Sequence, residues 1–397
     1  MGAASGTEPL AEAVVDLAAV RANAAALRAR CAPAELMAVV KADAYGHGLL
    51  PCARAALAGG ATWLGVAQLP EALALRAAGI DAPVLAWLFP PGSDLRAPLR
   101  AGVDLSVSSS WALEEVVAAA RATGCTARIH LKADTGLSRN GIAPQDWPDV
   151  LRATAEHAAE GAVRVVGVWS HFASSDVPDD PSVAAQLAAF DEALAAAARY
   201  GVEPELRHIA NSAAAVTNPA AHHDLVRCGI ALYGLSPVPD LASPADLGLV
   251  PAMTLSARLA LVKRVPAGSA VSYGGTYTTP ADTTLALVPL GYGDGIPRHA
   301  SGTGPVLVAG RRLQVAGRVC MDQFVVDLGP DAPPVAAGDR AVLFGPGAAA
   351  GRPAEPTAQD WAEAAGTISY EVVTRLGPRL PRRWTGAPGD GAGAGPA

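Results

Sequence analysis

Leu36-Met37-Ala38-Val39-Val40-Lys41-Ala42-Asp43-Ala44-Tyr45-Gly46-His47-Gly48 separates the fold of this chain from its nearest competitor. The apolar run 36–40 reads as a buried strand, and the small-residue turn behind it cannot extend that strand. An open doubly wound sheet usually shows a glycine-rich fingerprint after its first strand, and this turn has no G-x-G-x-x-G. It carries Lys41 instead. Of the 30 basic residues only Lys41, Lys132 and Lys263 are lysines, so arginine serves wherever a plain positive charge is enough. Arginine holds its proton, whereas a desolvated lysine becomes a neutral amine able to attack carbonyls or carry protons. A lysine stem lying over a strand edge is the plainer reading, and it suits a lysine-rich chain better than this one.

Outward from that strand, the first 230 residues alternate short β-rich runs with longer alanine-rich helical stretches, the pattern of a parallel α/β sheet. Eight strands are predicted, at 36–40, 63–67, 84–88, 103–107, 127–131, 165–169, 206–209 and 225–228, and eight point to a closed (βα)8 barrel of the TIM type over residues 18–245. Pro51 and Pro70 sit near helix starts, Ser110 is read as an N-cap, and Gly124 and Gly201 fall just past helix ends. After Pro251 the texture changes to hairpins at 255–265, 284–288, 306–308 and 324–328, giving a mostly β domain over 246–385. The opening segment, 1–17, contains a short strand expected to pair with that second domain. Residues 386–397 are glycine, proline and alanine with little apolar bulk, and are expected to form a disordered tail.

A length of 397 residues with 51% hydrophobic content allows two or three domains with large cores. The net charge of -7 argues against nucleic acid or an anionic membrane as the main partner and points to a small molecule. Five scattered cysteines without a C-x-x-C pair suggest neither a disulfide framework nor a metal site, so the cytoplasm is the expected compartment. The N-terminus shows no export signal, and no apolar run reaches membrane-spanning length.

In a (βα)8 barrel the reactive groups sit at the C-terminal strand ends. Lys41 ends the first predicted strand, Lys132 the fifth, Ser170-His171 the sixth and Asn211-Ser212 the seventh, while Arg227 lies within the eighth. The loops after strands seven and eight are the usual phosphate cradle, where Asn211-Ser212 and Gly229-Ile230 supply hydroxyl and N–H donors. Singly, Ser212 reads as a helix cap, His171 as a core histidine and Gly229 as a packing glycine. Together with an unusual lysine they point to pyridoxal phosphate.

At these residues the chain resembles the bacterial alanine racemases, the barrel-plus-β-domain enzymes of pyridoxal-phosphate fold type III. The strongest pieces are 38–48, Lys132-Ala133-Asp134-Thr135-Gly136-Leu137-Ser138-Arg139-Asn140-Gly141 and His208-Ile209-Ala210-Asn211-Ser212. Val226-Arg227-Cys228-Gly229-Ile230, Ser272-Tyr273-Gly274, Gly291-Tyr292-Gly293-Asp294-Gly295 and 317–323 add to it. Departures are small: Asp43 stands where asparagine is common, Cys228 follows the key arginine, and Gly293 replaces a usual alanine.

The resemblance implies that Lys41 binds pyridoxal phosphate as an aldimine and moves the α-proton of alanine on one face, with Tyr273 as the opposite base. A planar imine must lose and regain its proton on different sides, so both bases are needed. Tyr273 reaches the lysine of the other subunit in the family, which implies a homodimer. A tyrosine with a pKa near 10 must be tuned to act at neutral pH, and His171 and Arg227 are the implied network; by itself Tyr273 reads equally well as a strand aromatic. Arg227 faces the pyridine nitrogen in the family, and since arginine cannot protonate it, transamination and decarboxylation are disfavoured. The plainer alternative for Arg227 is a surface ion pair with Asp224. Asn211 belongs to the implied cofactor site with Tyr45, Ser212, Gly229, Ile230 and Tyr370, the last five as phosphate contacts. Arg139 and the Met321 N–H of the partner subunit hold the substrate carboxylate, Lys132 orients Arg139 and is carbamylated in many members, and Tyr273, Tyr292 and Tyr370 crowd a small entrance. The implied role is the supply of D-alanine for peptidoglycan.

Three other classes share some of these features. A decarboxylase of the same architecture places a glutamate where Arg227 stands, a single-barrel pyridoxal-phosphate carrier lacks the domain after Pro251, and a metal-dependent barrel hydrolase using carbamylated Lys132 with His171 and His208 needs an H-x-H where Lys41 is found.

Overall fold

The structure is a computed structural model describing residues 9–177 and 179–386. The chain opens with β1 (Ala11–Asp16), which leads directly into the helix Leu17–Cys31. Asp16 caps that helix by accepting from the N–H groups of Ala18 and Ala19. Eight parallel strands follow: β2 (Glu35–Val39), β3 (Trp63–Gln68), β4 (Val84–Leu88), β5 (Asp104–Val107), β6 (Ala127–Lys132), β7 (Val163–Trp169), β8 (Leu206–His208) and β9 (Leu225–Cys228). Every predicted barrel strand is present. Each pairs with its successor from β2 to β8, and β9 returns to pair with β2. The ring is nearly closed: at the β8–β9 seam the Asp224 N–H reaches the Arg207 carbonyl and the Arg227 N–H the Ala210 carbonyl, in place of a ladder.

β2, β5 and β9 are buried at almost every position, which is why they read as continuous apolar runs. Strand alternation still selects what enters the ring. Barrel interiors are usually layers of branched aliphatic side chains. Here Met37, Trp63, Leu85, Val166 and Leu225 form only a small apolar cluster, and Asp104, His130, His208 and Arg227 are buried among the strands beside it.

The second body is a nine-stranded sheet built from β10 (Met253–Arg258), β11 (Leu261–Val265), β14, β15, β16, β17, β18 and β19 together with β1; the two-residue strands β12 (Ala270–Val271) and β13 (Tyr277–Thr278) form a separate hairpin. The remaining ranges are β14 (Thr283–Val288), β15 (Pro305–Val308), β16 (Arg311–Ala316), β17 (Phe324–Asp327), β18 (Arg340–Phe344) and β19 (Arg382–Thr385). β1 lies between β10, to which it is antiparallel, and β19, to which it is parallel, so the first and last described strands lie side by side in one sheet.

The run 255–265, read as part of a hairpin, is two strands that do not pair with each other. β10 pairs with β1 and β18, whereas β11 pairs with β14, and the chain changes partners at Leu259 and Ala260. Ser109 rather than Ser110 caps the helix Ser110–Thr123, its hydroxyl accepting from the Ala112 N–H. β16, β18 and β19 have no counterpart among the predicted strands; β16 opens on Arg311-Arg312 and β19 on Arg382-Arg383, which hide the strand pattern. The expected tail at 386–397 lies, apart from Gly386, outside the described residues, as do residues 1–8.

Candidate active site

Lys41 follows β2 at the barrel mouth and opens a turn with an uncommon backbone. Ala42, Asp43, Ala44 and Tyr45 all have φ between 53° and 55°, one left-handed helical turn made without glycine. For L-residues this costs roughly 1–2 kcal/mol each, so the surroundings must hold it. Glu71 accepts from the Ala42 N–H at 2.6 Å, and Asp43 accepts from the Leu49 N–H at 2.7 Å. From the far end of the chain, Trp384 Nε1 donates to the His47 carbonyl and Arg382 to the Gly46 carbonyl. Gly48 lies so close that a Cβ there would meet the Trp384 ring at 2.8 Å. Asp43 thus anchors the start of the helix Leu49–Ala58.

The turn aims Lys41 into a cavity of about 630 Å³. Its Nζ lies 6.0 Å from the centre of the Tyr45 ring and 5.8 Å from that of Trp87. Burial, followed by the Arg139 guanidinium, holds the amine below the ordinary lysine range, while Glu71 acts in the opposite sense. Lys132 in the same cavity is pushed down to about 7 by burial and then by Arg227 and Arg139; its Nζ sits 4.4 Å above Trp169. A lysine that titrates near neutrality offers a lone pair for part of the time.

Arg227 stands at the floor. Its Nη2 lies 2.8 Å from the Ser170 carbonyl, 3.0 Å from the Ile209 carbonyl and 3.1 Å from His171 Nδ1, and its Nη1 lies 3.2 Å from His208 Nδ1. The guanidinium packs 4.8 Å above Trp169. Burial lowers its pKa to about 9, which still leaves it a cation at neutral pH. His171 is held well below the usual histidine range by burial and then by Arg227, so its neutral ring accepts from the guanidinium. Asp224, the alternative ion-pair partner, is engaged elsewhere, accepting from Arg207 Nε at 2.7 Å and Nη2 at 2.9 Å.

At the ends of the last two barrel strands Ser212 accepts the Gly229 N–H at 2.9 Å, with Asn211 capping the helix Ser212–Thr217. A Cβ on Gly229 would stand 2.2 Å from the Tyr45 hydroxyl, so glycine keeps this cradle open. Burial pushes the Tyr45 and Tyr370 phenols up, leaving both as protonated donors, and their rings lie 6.2 Å apart. Asn140 Oδ1, also on the cavity wall, is buried without a hydrogen-bond partner.

One cavity therefore gathers Lys41, Tyr45, Lys132, Arg139, His171 and Arg227 with Asn211, Ser212, Gly229, Ile230 and Tyr370. Tyr273 and Met321 are not on its wall. Tyr273 begins a short 3-10 turn after β12 rather than lying in a strand, and is 72% exposed; Met321 is 55% exposed. Tyr292 is exposed beside them, its N–H bonded to the Cys320 carbonyl. Sequence reasoning missed Trp169, the shared platform of Lys132 and Arg227, although its place beside Ser170-His171 at a strand end was the available signal. It also missed Glu71, Arg382 and Trp384, for which no local signal exists.

Residues 15–237 match the family model described as alanine racemase, N-terminal domain, and residues 252–384 that of the C-terminal domain. An alanine racemase of Streptomyces coelicolor is 60% identical over 377 residues, covering 94% of this chain and 95% of its own. One from Frankia casuarinae is 58% identical over 383 residues, covering 96% and 98%. The crystal structure of alanine racemase from D-cycloserine-producing Streptomyces lavendulae superposes with a TM-score of 0.93 at 58% identity, covering 96% of this chain and 98% of that one. That of the Bacillus anthracis enzyme with bound L-Ala-P gives 0.84 at 35% identity, covering 96% of both.

Proposed function

From the premise that this chain belongs to the alanine racemase family of pyridoxal-phosphate-dependent isomerases, we propose that it interconverts L- and D-alanine by proton transfer between two bases, Lys41 and the Tyr273 of a second copy. The observation that carries the reading is the Lys41 amine, desolvated and set among cations in the cavity that also holds the Tyr45, Ser212 and Gly229 cradle. A phosphorylated ring fits these residues: the cradle that a Cβ on Gly229 would fill suits a phosphate, and the Tyr45 and Tyr370 phenols and the Ser212 hydroxyl are donors for it. Bound there, pyridoxal phosphate supplies the electron sink that lets the α-hydrogen leave as a proton.

Lys41 would hold the cofactor, and its amine would take or return the substrate's α-proton on its own face of Cα. Burial and the Arg139 guanidinium lower its proton affinity, which helps the amine to act as a base. Tyr273, so exposed in one chain, meets the other face when a second copy covers it, which makes the working unit a homodimer. Arg227, which can donate but not accept, would stand at the ring nitrogen and could offer it a hydrogen bond but no proton. Arg139 and the Met321 N–H of the second copy hold the substrate carboxylate. Lys132, neutral for part of the time near pH 7, adds carbon dioxide through its amine nitrogen and releases a proton to solvent, becoming an anionic carbamate that pairs with Arg139.

No helix of the described residues is long and apolar enough to cross a membrane. We place the reaction in the cytoplasm, supplying D-alanine to peptidoglycan; a deletion strain with no second racemase that grows without added D-alanine would refute that role. The chemistry is tested by incubating holoenzyme with L-alanine in deuterated water. D-Alanine carrying deuterium at Cα, and none from Lys41→Ala, is expected. Cofactor binding without exchange at Cα would leave the fold and remove the mechanism.

A further inference from the structure

We infer that Asp104, deep in the barrel, is a positioning residue for racemisation that acts through His130 and His208 on Arg227. Four buried side chains form a single file: Arg227 Nη1 lies 3.2 Å from His208 Nδ1, His208 Nε2 lies 2.9 Å from His130 Nδ1, and His130 Nε2 lies 3.3 Å from Asp104 Oδ2. Arg128 closes the lower end with hydrogen bonds of 2.8 and 3.1 Å to the two Asp104 oxygens. Asp104 begins β5 at the base of the ring, while Arg227 lies near the C-terminal end of β9.

The two ends dictate one polarity. A carboxylate only accepts, so His130 must carry its proton on Nε2; a guanidinium only donates, so His208 must leave Nδ1 bare and carry its proton on Nε2. The middle bond then runs from His208 Nε2–H to the bare His130 Nδ1, and no donor or acceptor is left over. Burial, then the nearby Arg227 charge, hold His208 well below the ordinary range, in keeping with a neutral ring. Burial pushes the Asp104 carboxyl up, but hydrogen bonds from His130 and Arg128 outweigh it and leave the group below its usual range, an anion.

The surroundings are cut to this arrangement. A Cβ on Gly167 would stand 2.2 Å from His130 Nδ1, so β7 yields its side chain where the imidazole lies. Trp169 stacks on His208 at 5.6 Å with the rings 6° apart, and its own Nε1 donates to Ser106. Without the Asp104 carboxylate, His130 is free to take the other tautomer, His208 must follow, and an N–H would then face the Arg227 N–H. Buried hydrogen-bond files carry such a reversal from end to end because no water is available to repair it.

The inference rests on the reading that Arg227 faces the cofactor ring, but its first readout does not. Histidine ¹⁵N spectra of the wild-type holoenzyme should show His130 and His208 both protonated on Nε2 with bare Nδ1. In Asp104→Asn the His208 pattern should change, the absorption maximum of the bound cofactor should move, and kcat should fall about tenfold with KM nearly constant, the scale of losing an orienting partner behind a ligand. A folded Asp104→Asn protein with wild-type tautomers, spectrum and kcat overturns the inference. Should that variant not fold, a His208 protonated on Nδ1 in the wild type overturns it alone. Failure of the racemase reading is seen separately, as absence of D-alanine from a wild type whose tautomers are as described.

Discussion

The barrel mouth hides its chemistry and the β domain displays its own. Arg227 and Lys132 are each 4% exposed and both have lowered pKa values, whereas Tyr273 and Met321 stand 72% and 55% exposed on the other domain. Charges are tuned where water is excluded. The mouth is therefore prepared within one chain, while the β-domain face leaves Tyr273 and Met321 open to solvent.

The largest effect that can break this comparison comes from pairing two dead variants. Lys41→Ala and Tyr273→Phe should each lower kcat/KM by about 10²–10⁴-fold, the usual worth of a general acid or base. Unfolded together and refolded as mixed dimers, they should recover about a quarter of wild-type activity, because half the dimers are hybrids with one intact site of two. No recovery would mean that each chain supplies both bases.

Acid stability probes the buried side next. His47 is pushed down to about 4, chiefly by burial, against an ordinary value of 6.5. Between those values the unfolded chain binds more protons than the folded one, so stability is retained above pH 6.5 and lost as pH falls toward 4. The loss from His47 alone is about 3 kcal/mol. His171 and His208 act in the same direction. The urea midpoint should drop across this window, and less steeply in His47→Asn.

Gly229→Ala tests the cradle. The added methyl must displace the Tyr45 hydroxyl, at a cost of roughly 1–3 kcal/mol, so the dissociation constant of pyridoxal phosphate should rise by about 5- to 150-fold in a spectroscopic titration. The smallest effect belongs to Lys132. Holoenzyme in ¹³C-bicarbonate should show a carbamate resonance that grows as pH rises through about 7, absent from Lys132→Ala, whose KM for alanine should rise severalfold. A wild type without that resonance would leave Lys132 an unmodified amine, unable to pair with Arg139.

Much of the barrel was legible because parallel strands covered on both sides are written as uninterrupted apolar runs, and turns follow them directly. The β domain was less so: an antiparallel sheet changes partners within an apolar run, as at Leu259-Ala260, and β16 and β19 open on arginines. At the site, Lys41 stood out through the scarcity of lysine, and Lys132, His171, Asn211 and Ser212 through their places at strand ends. Trp169 went unnoticed because an aromatic residue ending a strand looks like core.

The sequence by itself determined the strand order of the barrel, the change to a β domain and which few side chains at the strand ends have chemistry to offer, because these depend on neighbours a few residues apart. Only the tertiary structure decided the left-handed turn at Ala42 to Tyr45, held by Glu71 and by Arg382 and Trp384 from the other end of the chain, and the file from Asp104 to Arg227 across four strands. Those features rest on hydrogen bonds between residues tens to hundreds of positions apart, and a local pattern carries no record of which distant donor meets which acceptor.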